Sequence, residues 1–576
     1  MPGFLIGNGH SQISLPEVCP LNVLTDTYRY SNKQNEIFAL KSTLNKFLDD
    51  KCFAETATLF IVLEGYLLNK KILFAEYDVQ NIKDLVERMY TGIGENFFSR
   101  FRGCFSGALY DKKENKWVVF TNQIGNAPVF YLKNNGNFVA GSQVTYILEW
   151  CKEKKIQLSF NESCAYQLLS YGFVASDETY AHEIKRLHGG DYLVLKDKVL
   201  TIKTYHRFER NTARLDSMSE AQIIDEIDKT FRNAVNLEWA KDDEYGYRHL
   251  ADLSGGLDSR MNLWIAHEEK KRKVTIITYC RIGYLDEIIA KQISLFWQDE
   301  FIFKSLDDAS FMYDIDENTA LLGGLSLYSA ITGGKRLLES LNLSEYGIEH
   351  TGLVGDIALG SFYRNPRDGE KRRPTGMYSE RLKENLPNYI KELYANYSDY
   401  EIFLMYTNGF HGACNSQLIR RHYTEVGSPF LNVEFMQLCF DIPINLRIRH
   451  NIYKKWIITK YPEAAKFKWE KTCGLITESN SRRYFRRYTK AVIRRIRKAF
   501  FKESCRADGM NPIGFWISHN DDLRNFLDSY EKNGYLYLPS TASDQLITDM
   551  KELYKTGNAS EKAMVLTVLS AARLYW

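Results

Sequence analysis

The spacing of apolar residues changes near residue 210. Before that point, short apolar runs typical of β-strands dominate, such as TLFIVLEGYLL from Thr58 and DYLVLKDKVLTIKTYHRF from Asp191. Turn signals separate these runs, among them Asn134-Asn135-Gly136 and Gly189-Gly190-Asp191. Short strands punctuated by turns predict an antiparallel sheet domain over residues 1–210.

Helical spacing takes over in the second part of the chain, residues 211–576. Between Ser219 and Trp239 apolar residues recur every three or four positions, which predicts a helix. Runs typical of strands (YRHLADL, VTIITYC and EFIFKSL) then alternate with runs typical of helices, such as DEIIAKQISLFW. This alternation predicts a parallel sheet flanked by helices, with the domain boundary around 206–217.

Composition narrows the classes of protein that fit. The 75 lysines and arginines against 72 aspartates and glutamates give a net charge of +3, too near balance to indicate a polyanionic partner for the whole chain, so we expect no nucleic acid. The longest apolar stretch, Leu59–Leu68, is short and contains Glu64, so it predicts a buried strand. Ten scattered cysteines favour reduced thiols. Because MPGFLIGNGH shows no secretory signal, we expect a cytoplasmic protein.

The segment HLADLSGGLDSR, which begins at His249, carries the first candidate chemistry. A predicted strand ends before the loop Ser254–Ser259, and a helix is predicted to begin at Arg260. Glycines let an anion lie against backbone N–H groups, and the helix dipole favours its negative charge. Asp258 would repel a bare phosphate, so it indicates a bridging Mg²⁺ ion. The alternative is a surface turn with an N-capping serine.

SGGLDS resembles the pyrophosphate-binding loop of the ATP pyrophosphatases. Further segments resemble the asparagine synthetase family: CFSGALYD and TNQIGNAPVFYL in the first domain, and SPFLNVEFMQLCFDIPINLRIR and FKWEKTCGLIT in the second. The resemblance implies a two-domain α/β protein. An N-terminal, antiparallel β-sandwich-like, Ntn-type class II glutamine amidotransferase-like domain would occupy residues 1–210. A C-terminal PP-loop ATP pyrophosphatase (synthetase) domain, with a parallel sheet flanked by helices, would occupy residues 211–576.

The first domain departs from that family at its expected nucleophile. The family uses an N-terminal cysteine whose own α-amine is the base, whereas this chain begins Met1-Pro2-Gly3 and its first thiol is Cys19. The usual Arg-Asp pair is Asn122-Gln123 here. We therefore expect a degenerate domain without glutaminase activity, a structural remnant or a docking surface. Lasso-peptide cyclases and β-lactam synthetases resemble the family and keep such an inert domain.

The resemblance implies a set of site residues in the second domain. Asp258 and Asp356 would hold Mg²⁺ against the phosphates, and Lys471 would be the catalytic cation facing the reaction centre. The residues predicted to bind ATP are Leu253, Ser254, Gly255, Gly256, Asp258, Ser259, Cys280, Thr351 and Gly352. Of these, Leu253 and Cys280 follow from the architecture, because a ligand lies beyond the carboxyl ends of parallel strands and the end of VTIITYC, Thr278 to Cys280, should lie near adenine. Leu353 stands where the family has a glutamate that handles the incoming amine, so the general base stays open among Tyr328, Glu349 and Glu425. Asp286 and Glu287 are interpreted as helix capping, and Lys335 as a candidate for a phosphate or substrate carboxylate.

These features together predict an ATP-dependent, AMP-forming amide synthetase with ATP and Mg²⁺ as cofactors. Its substrates would be a small-molecule, glycan or peptide carboxylate and an amine or ammonia. Two alternatives remain: a PP-loop RNA-modifying enzyme, and a non-catalytic nucleotide-binding scaffold. The sequence leaves the oligomeric state open, including a homo-oligomer.

A basic segment lies near the end of the chain. Residues 482–502 contain ten lysines and arginines and no acid, with apolar residues at helical spacing. Such a helix can contact an acidic partner or an anionic membrane surface. It can equally pack its apolar stripe on the second domain and leave its charges in water.

Overall fold

The computed structural model describes residues 2–576 except 14–24, 33–35, 135, 271–272, 331, 361, 363–375, 480–481, 483–487, 490–491 and 493–508. Most of the basic segment 482–502 therefore lies outside the described residues. The strands are β1 (Gly3–Asn8), β2 (Thr25–Asn32), β3 (Ile37–Leu44), β4 (Cys52–Glu55), β5 (Leu59–Leu67), β6 (Gly103–Asp111), β7 (Lys116–Thr121), β8 (Phe130–Asn134), β9 (Asn137–Gly141), β10 (Ile184–Arg186), β11 (Asp191–Lys196), β12 (Val199–Thr204), β13 (Arg248–Asp252), β14 (Val274–Cys280), β15 (Glu300–Ser305), β16 (Tyr346–His350) and β17 (Glu425–Gly427).

The α-helices of the described residues range from single turns to a helix of 26 residues. They are α1 (Lys70–Tyr77), α2 (Ile82–Ile93), α3 (Val144–Lys154), α4 (Glu162–Tyr171), α5 (Glu220–Tyr245), α6 (Asp258–Lys270), α7 (Leu285–Trp297), α8 (Ile315–Leu321), α9 (Lys335–Leu338), α10 (Gly355–Ala358), α11 (Asn388–Lys391), α12 (Tyr400–Leu404), α13 (Leu418–Arg421), α14 (Val433–Asp441), α15 (Ile444–Arg447), α16 (Asn451–Lys460), α17 (Ile513–His519), α18 (Asp521–Gly534), α19 (Asp544–Thr556) and α20 (Ala559–Tyr575).

Two six-stranded antiparallel sheets form the first domain, as its alternating strands and turns predict. Their strand orders are β10-β8-β9-β1-β3-β2 and β12-β11-β7-β6-β5-β4. Apolar side chains of both sheets, among them Phe4, Phe60 and Val119, share one buried core between the facing sheets. Helices α1 and α2 cover the outer face of the second sheet, and α3 and α4 cover that of the first.

A five-stranded parallel sheet, ordered β15-β14-β13-β16-β17, forms the centre of the second domain. Its interior strand β14 is mostly apolar and buried, and α5, α6 and α7 pack on the sheet. Helix α5 begins after a capping box in which Ser219 and Gln222 satisfy each other's backbone N–H groups. Strand β12 ends at Thr204 and α5 begins at Glu220, so the predicted division at 210/211 falls between them.

The two domains share a buried, charged interface. Lys51 of the first domain lies 3.2 Å from Glu425 at the start of β17, and Lys241 of α5 lies 2.6 Å from Asp50. The ammonium group of Lys46 donates to the backbone carbonyl of Tyr346 at 2.6 Å. Because breaking a buried ion pair leaves an uncompensated charge, these contacts fix the first domain against the second.

Within the described part of the chain, no helix has the length and apolar character that crossing a bilayer requires.

Candidate active site

The glycine-rich loop connects the carboxyl end of β13 to α6. The helix begins at Asp258, two residues before the predicted start, so Asp258 and Ser259 lie in its first turn, where an acidic side chain is favoured by the helix dipole. Ser259 Oγ accepts the backbone N–H of Ser254 at 3.1 Å, and Ser254 Oγ accepts that of Gly256 at 3.1 Å. These bonds hold both hydroxyls inside the loop.

Asp286, interpreted from the sequence as a cap of α7, also shapes this loop. Its carboxylate accepts the backbone N–H of Gly255 at 2.6 Å. Burial raises the pKa of Asp286 to about 6. A Cβ atom at Gly255 would lie 2.8 Å from the side chain of Glu470, so glycine is required for this close approach.

Arg260 joins the loop to the segment that carries Lys471. The side chain of Arg260 is fully buried and donates to the backbone carbonyls of Ala464 and Phe467, both at 3.2 Å. Burial lowers the pKa of its guanidinium to about 10. A backbone bond from Glu470 to the Gly255 carbonyl at 3.0 Å completes the connection. Lys471 is thereby placed beside the loop although it lies far from it in sequence.

A second loop, after β16, packs directly on the first. A Cβ atom at Gly352 would lie 2.2 Å from the backbone nitrogen of Ser259, and one at Gly355 would lie 2.7 Å from the Asp258 carboxyl carbon. Asn262 of α6 donates to the carbonyl of Thr351 at 2.8 Å. The glycines of this loop are therefore needed to bring Asp356 close to Asp258.

Asp258 and Asp356 form the candidate metal centre. Asp258 accepts the Tyr453 hydroxyl at 2.8 Å and the backbone N–H of Asp356 at 3.0 Å. Burial, and after it the neighbouring Asp356, raises the pKa of Asp258 to about 8. Burial also raises the pKa of Asp356, against the opposing effect of Lys471. A divalent cation would neutralise the negative charge of these two adjacent carboxylates, and oxygen ligands suit Mg²⁺.

The charge of Lys471 acts on both carboxyl groups of this centre and opposes the rise in their pKa values. Its exposed ammonium group lies 3.3 Å from Nε2 of His450 and 5.7 Å from the centroid of the Trp469 ring. Burial, and then the charge of Lys471, lowers the pKa of His450 to about 3. His450 is therefore neutral and accepts a hydrogen bond from Lys471.

A cavity of about 310 Å³ opens beside both loops. It is lined by Asp252, Leu253, Ser254, Gly256, Asp258, Ser259, Ile277, Thr278, Tyr279, Asp286, Thr351, Gly352, Leu353, Gln417, Met510 and Asn511. Seven residues of the implied ATP-binding set are among them. Gly255 and Cys280 are both buried and do not line the cavity, and Ile277, Thr278 and Tyr279 are the residues of β14 that do.

The sequence analysis missed a cluster on the cavity floor, which we call the Arg420 cluster: Arg420, Asp252, Glu349 and Tyr279. The fully buried guanidinium of Arg420 donates to Asp252 and Glu349, each at 3.0 Å, and to the Tyr279 hydroxyl at 2.6 Å. The only local signal was an acid, Asp252, at the end of the strand after Leu250 and Ala251. Its partners come from distant elements and left no pattern.

None of the three candidate bases lines the cavity. Glu349 is paired with Arg420, and Glu425 is paired with Lys51. Tyr328 is buried and donates to the backbone carbonyl of Met312 at 3.2 Å. Lys335 is likewise held away from the cavity, since it pairs with Asp314 and Glu317.

Comparison with known proteins finds similarity over parts of this chain. A family model described as a glutamine amidotransferase domain matches residues 52–206. The chain is 22% identical over 218 residues, 37% of its length, to a Methanocaldococcus jannaschii protein assigned as asparagine synthetase (glutamine-hydrolyzing) 2. It is 24% identical over 238 residues, 40% of its length, to asparagine synthetase (glutamine-hydrolyzing) 3 of Bacillus subtilis. The matches span 41% and 37% of those relatives' lengths.

A solved structure of glutamine phosphoribosylpyrophosphate amidotransferase from B. subtilis, complexed with ADP and GMP, also resembles the chain. It covers 53% of this chain and 91% of its own, at 9% identity and a TM-score of 0.26. A likeness at this level carries no argument about function.

Proposed function

We propose that this chain is an ATP-dependent ligase that forms a carbon–nitrogen bond. Its similarity to asparagine synthetases and to a glutamine amidotransferase domain supports the proposal. The protein would adenylate a substrate carboxylate, release pyrophosphate, and transfer the acyl group to an amine or ammonia with loss of AMP. One observation carries the proposal: the anion-binding loop lines a cavity, packs on the loop that brings Asp356 to Asp258, and is bonded through Gly255 to Glu470, the neighbour of Lys471.

Each part of the site has a distinct task in this reaction. The N-terminal turn of α6 and the hydroxyls of Ser254 and Ser259 bind the phosphates, because unpaired N–H groups and the helix dipole favour anions. Asp258 and Asp356 would hold Mg²⁺, which neutralises phosphate charge when bound. Lys471 stabilises negative charge on the α-phosphate as the carboxylate attacks it. Ile277 and the other apolar lining residues offer a surface for the base of the nucleotide.

The first domain contributes structure to this proposal and no glutaminase chemistry. Cys19 lies outside the described residues. The described thiols of this domain at Cys52, Cys104, Cys151 and Cys164 are all buried, and burial raises the pKa of each. A protonated, inaccessible thiol is a poor nucleophile. The cavity next to Gly3 has only about 20 Å³, close to the space of one water molecule.

The products of ATP test the proposal. The purified protein is incubated with ATP, Mg²⁺, ammonium or hydroxylamine, and a panel of amino-acid, uronic-acid and peptide carboxylates. We expect acid-dependent formation of AMP and pyrophosphate, loss of that activity in Asp258→Ala, and full activity in the exposed control Asp308→Ala. Glutamine as sole nitrogen donor should give no amide. ADP as the product, or AMP formation that survives Asp258→Ala, would refute the proposal.

A further inference from the structure

The polar lining of the active-site cavity is acidic. Asp252, Asp258 and Asp286 face it, and no lysine or arginine belongs to its described lining. Asp258 belongs to the candidate metal centre, and Asp286 is occupied by the Gly255 N–H. Asp252 is the one of the three that is assigned neither to the metal centre nor to the loop backbone.

Asp252 is oriented by the Arg420 cluster. Its Oδ1 atom accepts from Arg420 at 3.0 Å, while 19% of its side chain stays exposed, in contrast to the fully buried Arg420. Arg420 also pairs with Glu349, so one guanidinium serves two carboxylates. Ionised in full, the cluster has one negative charge in excess, and its accessible carboxylate lines the cavity.

Gln417 supplies a second and independent observation. It precedes α13 directly, three residues before Arg420, and it lines the same cavity. Only 7% of the residue is exposed, and Oε1 has no hydrogen-bond partner among the described residues. A buried acceptor without a donor is costly, so this atom can accept a hydrogen bond from a molecule bound in the cavity.

We infer that Asp252 and Gln417 form the subsite for the acceptor amine, and that Asp252 is the base that Leu353 cannot supply. This inference rests on the proposed ligase function. A protonated primary amine, R–NH₃⁺ with R either hydrogen or an organic group, provides both the positive charge that Asp252 requires and the N–H donors that Gln417 Oε1 lacks. Leu353 lines the same cavity, so the subsite lies in the pocket where the family's amine-handling group would be.

The reaction step balances with these groups. Asp252 takes one proton from R–NH₃⁺, and the freed nitrogen lone pair forms the bond to the acyl carbon. The bond from that carbon to the AMP oxygen breaks, and its electron pair leaves with AMP. The second nitrogen proton passes to water, which leaves a neutral amide. Burial, with Arg420 opposing it, raises the pKa of Asp252, which makes this carboxylate a stronger proton acceptor than an exposed aspartate.

Kinetics of the two half-reactions separate this inference from the proposed function. Adenylation is followed by ATP–pyrophosphate exchange, and amide formation is followed with ammonium chloride and with methylamine as separate arms, which distinguish ammonia from an organic amine. For Asp252→Asn and Gln417→Leu we expect exchange within twofold of wild type and a KM for the amine raised at least tenfold. Asp252→Glu should restore part of the loss, and the exposed control Asp308→Asn should change neither reaction. An unchanged amine KM in Asp252→Asn would overturn the inference.

If the wild-type protein does not catalyse exchange, the proposed ligase function is refuted, but the subsite is not. A binding experiment then tests the subsite by itself. Crystals soaked in rubidium chloride use Rb⁺ as an ammonium analogue with an anomalous signal. We expect a peak within contact distance of Asp252 and Gln417 Oε1 in the wild type and none in Asp252→Asn. No peak at this position in the wild type would overturn the subsite itself.

Discussion

Binding of Mg²⁺ should strengthen steeply as the pH rises, because Asp258 must lose a proton before it can bind the ion. Burial and the nearby Asp356 raise the pKa of Asp258 to about 8 in the metal-free protein. A protonated carboxyl group offers no charge to a cation, so metal and proton compete for this side chain.

The size of the effect follows from that pKa. The ionised fraction of Asp258 is about 0.01 at pH 6 and about 0.5 at pH 8. The affinity for Mg²⁺ should therefore increase about 50-fold between these pH values, and binding near pH 7 should release about one proton. Because the pKa of Asp258 is raised, the affinity for Mg²⁺ is lost as the pH falls below about 8 and is fully regained above it. Asp356, whose pKa is also raised, acts in the same direction.

Calorimetric titration of Mg²⁺ into the nucleotide-free protein at pH 6, 7 and 8 measures the affinity. Two buffers of different ionisation enthalpy at each pH measure the proton release. Asp356→Asn removes the like charge beside Asp258 and lowers its pKa, so this variant should bind more weakly but with a flatter pH profile. The exposed control Asp308→Asn should match the wild type. Affinity that stays constant from pH 6 to pH 8 without proton release would refute the reasoning.

Three further substitutions test the packing and the chemistry. Gly352→Ala places a Cβ atom 2.2 Å from the backbone nitrogen of Ser259 and should weaken ATP binding at least tenfold (about 1–3 kcal/mol), as measured by equilibrium titration. The control Gly92→Ala, whose added Cβ atom meets nothing within 4 Å, should bind ATP as the wild type does. Equal affinities of the two variants would contradict the close approach of the loops. Lys51→Met removes the cation shared by Glu64 and Glu425, which keep only Lys41 and the more distant Arg421. It should destabilise the protein by about 1–3 kcal/mol, seen as a lower midpoint of thermal unfolding, while the exposed control Lys71→Met should not; an unchanged midpoint would contradict the charged interface. Lys471→Ala should lower kcat for AMP formation by about 10²–10³ and leave ATP affinity within threefold, and an unaffected kcat would exclude the lysine from the reaction centre.

Local sequence patterns predicted the parts of the site that are local in the chain. The loop from Ser254 to Ser259 follows directly from an apolar strand, two glycines and a helix start. Its position at the carboxyl end of a parallel strand follows from the alternation of elements. The start of α6 was predicted two residues late, because a carboxylate at Asp258 is stabilised in the first helical turn and the pattern alone does not reveal this.

The remaining parts depend on tertiary contacts that no local pattern records. Arg420 reaches Asp252 across 168 residues, and Arg260 reaches the carbonyl of Phe467 across 207. Sequence reasoning placed the end of β14, Thr278 to Cys280, near the nucleotide; Thr278 and Tyr279 line the cavity, and Cys280 does not. Which residues of a strand end face a ligand depends on the packing of neighbouring loops.

The fate of a labelled oxygen tests the central claim most directly. The acid that supports turnover is prepared with ¹⁸O in its carboxylate, and the nucleotide product is analysed by mass spectrometry after a single turnover. If the carboxylate attacks the α-phosphorus of ATP, one ¹⁸O atom must appear in AMP when the amine displaces it. AMP without label, or label found in inorganic phosphate beside ADP, would contradict the account.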